Sequence, residues 1–192
     1  MMGETIKAYA PGGKETRERF AVAVYGGAFD PPHAGHASVI QRALELTEQL
    51  LLVPSFRHAD GKRMAAFQLR CSWLERLAQR FDERVRVCSV EQELGRDGQV
   101  IYSVDLLQRL AHDHRLPNAR LALLIGEDNL PRLAHFHRAG ELRQQFGLLV
   151  ASEQMTVHSS AIRAMIAAGK DIPPAWQLPE IQSELTIYGR DL

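Results

Sequence analysis

A chain of 192 residues, 45% of them apolar, is long enough for one domain with a sizeable core. Its 23 basic and 23 acidic residues cancel to a formal net charge of zero, which argues against bulk binding of nucleic acid and leaves room only for a local basic pocket. No apolar run approaches the ~18 residues a membrane-spanning helix needs, so no membrane association is expected.

Residues 1–19 hold Gly12, Gly13 and several charges but no apolar core of a secretory signal, and are expected to form a loose extension ahead of a single domain over 20–192. Phe20 to Tyr25 reads as a buried strand, and Val39, Ile40, Ala43, Leu44 and Leu46 recur at helical spacing after it. Leu50 to Val53 is a second strand, ended by Pro54; Phe67, Leu74, Leu77 and Phe81 mark a helix face; Val85, Val87 and Cys88 to Val90 suggest a third strand. A second helical stripe runs through Val104, Leu107, Leu110 and Ala111, with Ser103 as its expected N-cap. Leu121 to Ile125 and Phe146 to Ala151 are two more buried strands around a short helix over Arg138 to Gln145. Ser159 to Ala168 reads as a helix closed by Gly169, and Leu178 to Tyr188 as a last one. Cys71 and Cys88 lack metal-like spacing and read as small buried hydrophobes of a reducing compartment, hence a cytoplasmic protein.

This alternation predicts an α/β fold with a doubly wound, mostly parallel sheet. Ligands of such sheets sit beyond the carboxyl ends of the strands, near the switch in strand order. Two loops fall at such ends: Gly26 to His36, and Gly126-Glu127-Asp128-Asn129.

The first loop, Gly26-Gly27-Ala28-Phe29-Asp30-Pro31-Pro32-His33-Ala34-Gly35-His36, carries the chemistry. Gly26 and Gly27 let the backbone turn sharply and approach a ligand. Pro31 and Pro32 delay helix entry, and His33 and His36, three apart, can face one side of the helix start. Gly35 between them leaves room for a bulky ligand. A helix N-terminus adds partial positive charge, so the sum is an anion site with imidazole donors. It is not the dinucleotide fingerprint, because GxGxxG is absent. At the far end of the chain, Val157-His158-Ser159-Ser160-Ala161-Ile162-Arg163 opens a helix with hydroxyls and sets Ser159 and Arg163 on one face, an arrangement suited to phosphate. A basic loop, Ser55 to Arg63 with His58 and Lys62, follows the second strand and could reach outer phosphates.

The loop GGAFDPPHAGH resembles the GGxFDPxHxGH signature of the HxGH nucleotidyltransferases, in its nicotinate (nicotinamide) mononucleotide adenylyltransferase form. Class I aminoacyl-tRNA synthetases share a related HxGH element but are much longer and carry a lysine-rich second motif that is missing here. Residues 157–163 are similar to the family's ISSTxIR motif, with His158 in place of a serine and Ser160 in place of the threonine. Arg70 stands in the family's arginine place. Tyr102-Ser103-Val104-Asp105 resembles SYTxDT, Gly126-Glu127-Asp128 resembles GxD, and Phe136 stands where the family usually has a Trp.

The resemblance, spanning about residues 20 to 190, implies a Rossmann-like nucleotidyltransferase fold and transfer of AMP from ATP to a pyridine mononucleotide, giving an NAD-type dinucleotide and pyrophosphate. It implies His36 and His33 as the catalytic pair, and Gly26, Gly27, Ala28, Phe29, Lys62, Ser159, Ser160 and Arg163 with them as ATP ligands. It implies Tyr102, Ser103, Gly126, Asp128 and Phe136 around the acceptor. Mg²⁺ would travel on the nucleotide phosphates without a protein cage. The partners implied are ATP and the mononucleotide, with neither nucleic acid nor membrane; a homo-oligomer is compatible with this. Rival readings are another HxGH transferase acting on phosphopantetheine or a polyol phosphate, and a nucleotide-binding regulator without turnover. Gly26-Gly27 and Pro32-His33 favour the pyridine branch. The stretch between Ala151 and Ser159 is shorter than in most family members.

Overall fold

The structure, a computed structural model, describes residues 6–58, 61–152 and 155–189. Ile6–Tyr9 (β1) and Glu15–Thr16 (β2) pair antiparallel across a turn at Gly12–Gly13. The central strands are Phe20–Gly27 (β3), Thr47–Pro54 (β4), Val85–Val87 (β5), Leu121–Gly126 (β6) and Gly147–Ala151 (β7). Between and after them run the helices Ala34–Ala43 (α1), Phe67–Ala78 (α2), Val90–Leu94 (α3), Ser103–His114 (α4), Ala139–Gln145 (α5) and Ser159–Ala167 (α6).

The strands form one sheet in the order β2-β1-β7-β6-β3-β4-β5. The five from β7 to β5 are parallel, so the sheet is the doubly wound α/β type that the alternation predicts. The chain builds outward from β3 to β5, then crosses back to β6 on the other side of β3. The order therefore switches between β3 and β6, where ligands of such sheets bind.

Parallel strands covered on both faces read as continuous apolar runs, and alternate residues supply opposite layers. Ala23, Leu50, Leu52, Ala122 and Leu124 face Ile40 of α1 and Trp73, Leu74 and Leu77 of α2. Val22, Val24, Leu51, Leu121, Leu123 and Ile125 face Val104, Leu107 and Leu110 of α4.

Four sequence expectations change. The segment before Phe20 is not loose over its described residues. β1 adds to the sheet edge with Ile6 opposite Ala151 and Tyr9 opposite Leu148, and Gly12 N–H donates to Arg143 O at 2.8 Å. The third strand stops at Val87, because Val90 begins α3 and turns its side chain into the α4 layer. Ser103 is the first residue of α4, and the extended residue before it is Tyr102, so the Ser103 hydroxyl makes no cap. The last segment is a 3-10 turn over Gln182–Gly189; its apolar stripe still buries Leu178, Ile181, Leu185 and Tyr188.

Candidate active site

A cleft of about 480 Å³ opens over the ends of β3 and β6. Gly26, Gly27, Phe29, His33 and His36 line one side; Tyr102, Ser103, Gly126, Asp128 and Phe136 line the other; His158 and Ser159 close an end. Most of the residues that the sequence singles out thus meet in one cavity.

Gly26 and Gly27 are not the turn. They are the last strand residues, paired with Val53 and Pro54. The left-handed position is Phe29, with φ 47°. A non-glycine residue there costs on the order of 1–2 kcal/mol, offset here by packing. Its ring is buried, meets Tyr25 edge-on at 5.4 Å and underlies His36 at 4.9 Å.

The His33 and His36 rings stack at 3.7 Å between centroids, 28° apart in plane. The His33 backbone N–H donates to His36 Nδ1 at 3.0 Å. A nitrogen that accepts carries no proton, so the neutral His36 ring bears its proton on Nε2. Burial first, and then the charge His33 would carry, hold His36 well below the ordinary imidazole value. Burial and then the His158 charge lower His33 to about 4. Both imidazoles are therefore neutral at pH 7. Among the described residues His33 Nδ1 is buried without a partner.

Gly35 has a different use from the one its position suggests. A Cβ there would lie 2.9 Å from Val157 Cγ1 and 3.0 Å from His33 Cε1 and Nδ1. The missing side chain makes room for the His33 ring and for Val157 of the segment that leads into α6, not for the ligand.

Three other elements brace the loop. Arg70 is fully buried and donates to three carbonyls: Ala28 at 2.7 Å, Ser55 at 2.9 Å and Ala65 at 2.9 Å. The buried Asp30 carboxylate accepts from Ala65 N–H at 3.0 Å and Tyr188 O–H at 2.5 Å. Ser159 Oγ donates to Pro31 O at 2.8 Å, and Arg163 donates to Asp30 O at 2.5 Å. So Ser159 and Arg163 hold the loop backbone here. Arg163 and the exposed Ser160 do not line the cleft. Lys62 lies in a neighbouring basic groove with Arg57, His58 and Arg70. Ala59 and Asp60 of that loop lie outside the described residues, as do Glu153 and Gln154 before α6.

On the facing wall, a Cβ on Gly126 would sit 2.4 Å from Asp128 Oδ1. Glycine there lets the carboxylate fold back over the strand end. Burial, and then the Asp128 charge, raise the Tyr25 hydroxyl. Tyr102 stacks on His137 at 4.0 Å and 25°.

Four cleft residues were not visible in the sequence as site residues. Tyr25 hides in an apolar strand. Arg42 lies on α1 and donates to Ser38 Oγ and to the Ser152 carbonyl. His158 occupies the end of the cleft. Glu91 accepts from Phe56 N–H at 2.8 Å, and burial lifts its carboxyl to about 7. Among the described residues, no three His, Cys, Asp or Glu side chains are grouped to hold a metal, and no helix is long and apolar enough to cross a membrane.

A parallel sheet with an HxGH turn at its switch point defines a nucleotidyltransferase of the Rossmann-like class, and the family model described as Cytidylyltransferase-like matches residues 24–168. A probable nicotinate-nucleotide adenylyltransferase of Anaeromyxobacter dehalogenans is 33% identical, over 79% of this chain and 86% of its own. One from Myxococcus xanthus is 32% identical over 83% and 90%. The crystal structure of a candidate nicotinate-nucleotide adenylyltransferase from Vibrio parahaemolyticus superposes with a TM-score of 0.73 at 25% identity, over 86% of this chain and 98% of that one. Nicotinic acid mononucleotide adenylyltransferase of Plasmodium falciparum, complexed with NaAD, shares the fold at a TM-score of 0.66 and 15% identity, over 88% and 94%. The chain belongs to the nicotinate-nucleotide adenylyltransferase family of nucleotidyltransferases.

Proposed function

We propose that this enzyme transfers AMP from ATP to the 5′-phosphate of nicotinate mononucleotide, releasing pyrophosphate and forming the deamido dinucleotide of NAD biosynthesis. The observation that carries this is the stacked His33–His36 pair, fixed at the start of α1 and facing Tyr102, Ser103, Asp128 and Phe136 across one cleft. The acceptor phosphate attacks the α-phosphorus in line, and no side-chain nucleophile is needed. Catalysis is then positioning and charge stabilisation. His36 offers a fixed Nε2–H donor to the charge that develops on the α-phosphate, with His33 stacked beside it. Gly26, Gly27, Ala28 and Phe29 shape the nucleotide's floor. Ser159, Ser160 and Arg163 hold the loop from the α6 side, and Lys62 approaches the outer phosphates from the adjoining groove. On the facing wall, Phe136 stacks on the pyridine, Tyr102 and Ser103 meet its carboxylate, and Asp128 behind Gly126 holds ribose. Magnesium enters as part of the substrate, on the phosphate oxygens. An ion held in this way keeps its water and phosphate ligands. Two free cysteines suit work in the cytoplasm.

Pyrophosphate release from ATP tests the reading, with nicotinate mononucleotide, nicotinamide mononucleotide and phosphopantetheine as acceptors in parallel. Release with nicotinate mononucleotide well above the other two is expected. Turnover of phosphopantetheine alone, or of none, overturns it.

A further inference from the structure

One buried acid of the cleft takes no part in the transfer of AMP. Glu91, on α3, lines the cleft and is 9% exposed. Its Oε2 accepts from Phe56 N–H at 2.8 Å, just past the end of β4. That bond fixes the carboxyl and leaves Oε1 as the oxygen that takes a proton. Burial sets the group at about 7, against the Phe56 bond and the Arg70 charge, so it changes charge in the neutral range.

Its place in the fold puts it at the acceptor's end. In the sheet order, α6 follows β7 at one side of the parallel set, whereas α3 follows β5 at the other. A Cβ on Gly95 would lie 2.8 Å from Phe56 Cδ1, 3.0 Å from Glu91 O and 3.3 Å from Ile101 Cδ1. The end of α3, the loop after β4 and the turn into α4 therefore meet without a gap. Ile101 leads directly into Tyr102 and Ser103 of the acceptor wall, and all three line the cleft with Glu91. The charge that acts on Glu91 is that of Arg70 on α2, whose donors are held by three carbonyls. In the adjoining segments, Arg57, His58, Cys88, Glu93, Arg96 and Asp97 are each at least partly exposed. On α4, Asp105 pairs with Arg138, and Arg109 with Glu93 and Asp113. Asp128 and the neutral His33 and His36 line the same cleft from the segment after β6 and the start of α1.

We propose that Glu91 is a specificity-determining residue for the acceptor, and that it reads the charge of the substituent on the pyridine ring. This rests on the adenylyl-transfer reading, in which Tyr102 and Ser103 meet that substituent. As a neutral acid, Glu91 offers Oε1–H to a carboxylate. As a carboxylate, it repels the carboxylate of nicotinate and accepts from the N–H groups of an amide. Its proton moves in no step of the transfer, so it acts on the acceptor KM rather than on kcat.

The test is the ratio of kcat/KM for nicotinate mononucleotide to that for nicotinamide mononucleotide, followed with pH in wild type and Glu91→Gln. The 5′-phosphate titrates alike in both acceptors, so its ionisation cancels in the ratio. Between about pH 6 and about pH 8.5 the wild-type ratio is expected to fall about tenfold, the scale of one close like-charge pair. The fall is expected in the acceptor KM, with kcat within about twofold. Glu91→Gln is neutral throughout and still able to accept from Phe56 N–H, and its ratio is expected to stay flat with pH. A flat ratio in the wild type, or the same fall in Glu91→Gln, overturns the assignment. A second readout needs no variant. Calorimetry of each mononucleotide in buffers of different ionisation enthalpy gives the protons taken up on binding. Greater uptake with nicotinate mononucleotide than with nicotinamide mononucleotide is expected at about pH 7, and equal uptake overturns the assignment. A wild type that shows this greater uptake but releases no pyrophosphate from ATP refutes the proposed reaction and still supports the role of Glu91. A wild type that binds neither mononucleotide overturns both.

Discussion

His36 is a neutral imidazole whose orientation is set by a backbone amide. The His33 N–H occupies its Nδ1, and Phe29 and Tyr25 wall in the ring. In the proposed reaction, a donor that is already aimed needs no reorganisation when charge develops on the α-phosphate. His36→Ala is therefore expected to lower kcat by roughly 10²–10³ with the ATP KM changed only a few-fold, read from initial rates of pyrophosphate release. Gly35 gives a steric counterpart. A methyl at this position enters space held by the His33 ring and Val157, at 2.9–3.0 Å. Gly35→Ala should push the imidazole stack off its geometry. A loss of about 1–3 kcal/mol in urea unfolding is expected, together with a fall in kcat of at least about tenfold. Retention of both values would mean that Val157 yields without cost.

At the scale of elements, the loop after β3 owes its shape to partners far away in sequence. Arg70 of α2 ties the loop, the end of β4 and the entry to α2 through three carbonyls. Asp30 links it to Tyr188 near the described C-terminal end. Arg70→Met removes the charge together with the donors, so no buried cation is stranded, but three carbonyls lose their partner. A loss of about 3 kcal/mol or more in the unfolding free energy is expected, at roughly 1–3 kcal/mol for each unsatisfied group, with kcat falling alongside. Stability near wild type would mean that water replaces the guanidinium. This brace also marks where sequence reading runs out. The Gly-Pro-His loop is legible, because so many conformationally special residues coincide in it. The central strands are legible as unbroken apolar runs, and Arg70 stands out by resemblance. Its role does not, because backbone carbonyls leave no residue-type signature. β1 is hidden for a related reason: in four residues only Ala8 is fully buried, so there is no run to detect. The left-handed turn at Phe29, rather than at a glycine, is a tertiary choice imposed by Tyr25 and His36.

For the whole molecule, the candidate cleft is also a place where ionisable groups are withheld from water, and this sets how stability depends on pH. Burial holds Glu91 at about 7 against an ordinary 4.5. Between those values the folded protein keeps a proton that the unfolded chain has released, so stability falls as pH rises through that window. His33 works the other way. Held at about 4 against 6.5, it stays unprotonated while the unfolded chain takes up a proton, so stability is lost as pH falls from 6.5 toward 4. His36 is lowered too and acts in the same sense as His33. The two trends oppose each other between about pH 4.5 and 6.5, and from there to about pH 8 the Glu91 contribution leads. Glu91→Gln isolates it. The amide oxygen can still accept from Phe56 N–H, and the histidine contributions cancel when the variant is compared with wild type. Linkage then predicts that the stability difference shifts by about 2 kcal/mol in favour of Glu91→Gln between pH 5 and pH 8. Urea unfolding at four pH values across that range measures it. A difference that stays flat with pH would mean that the carboxyl reaches water through the cleft mouth and titrates as an ordinary surface acid.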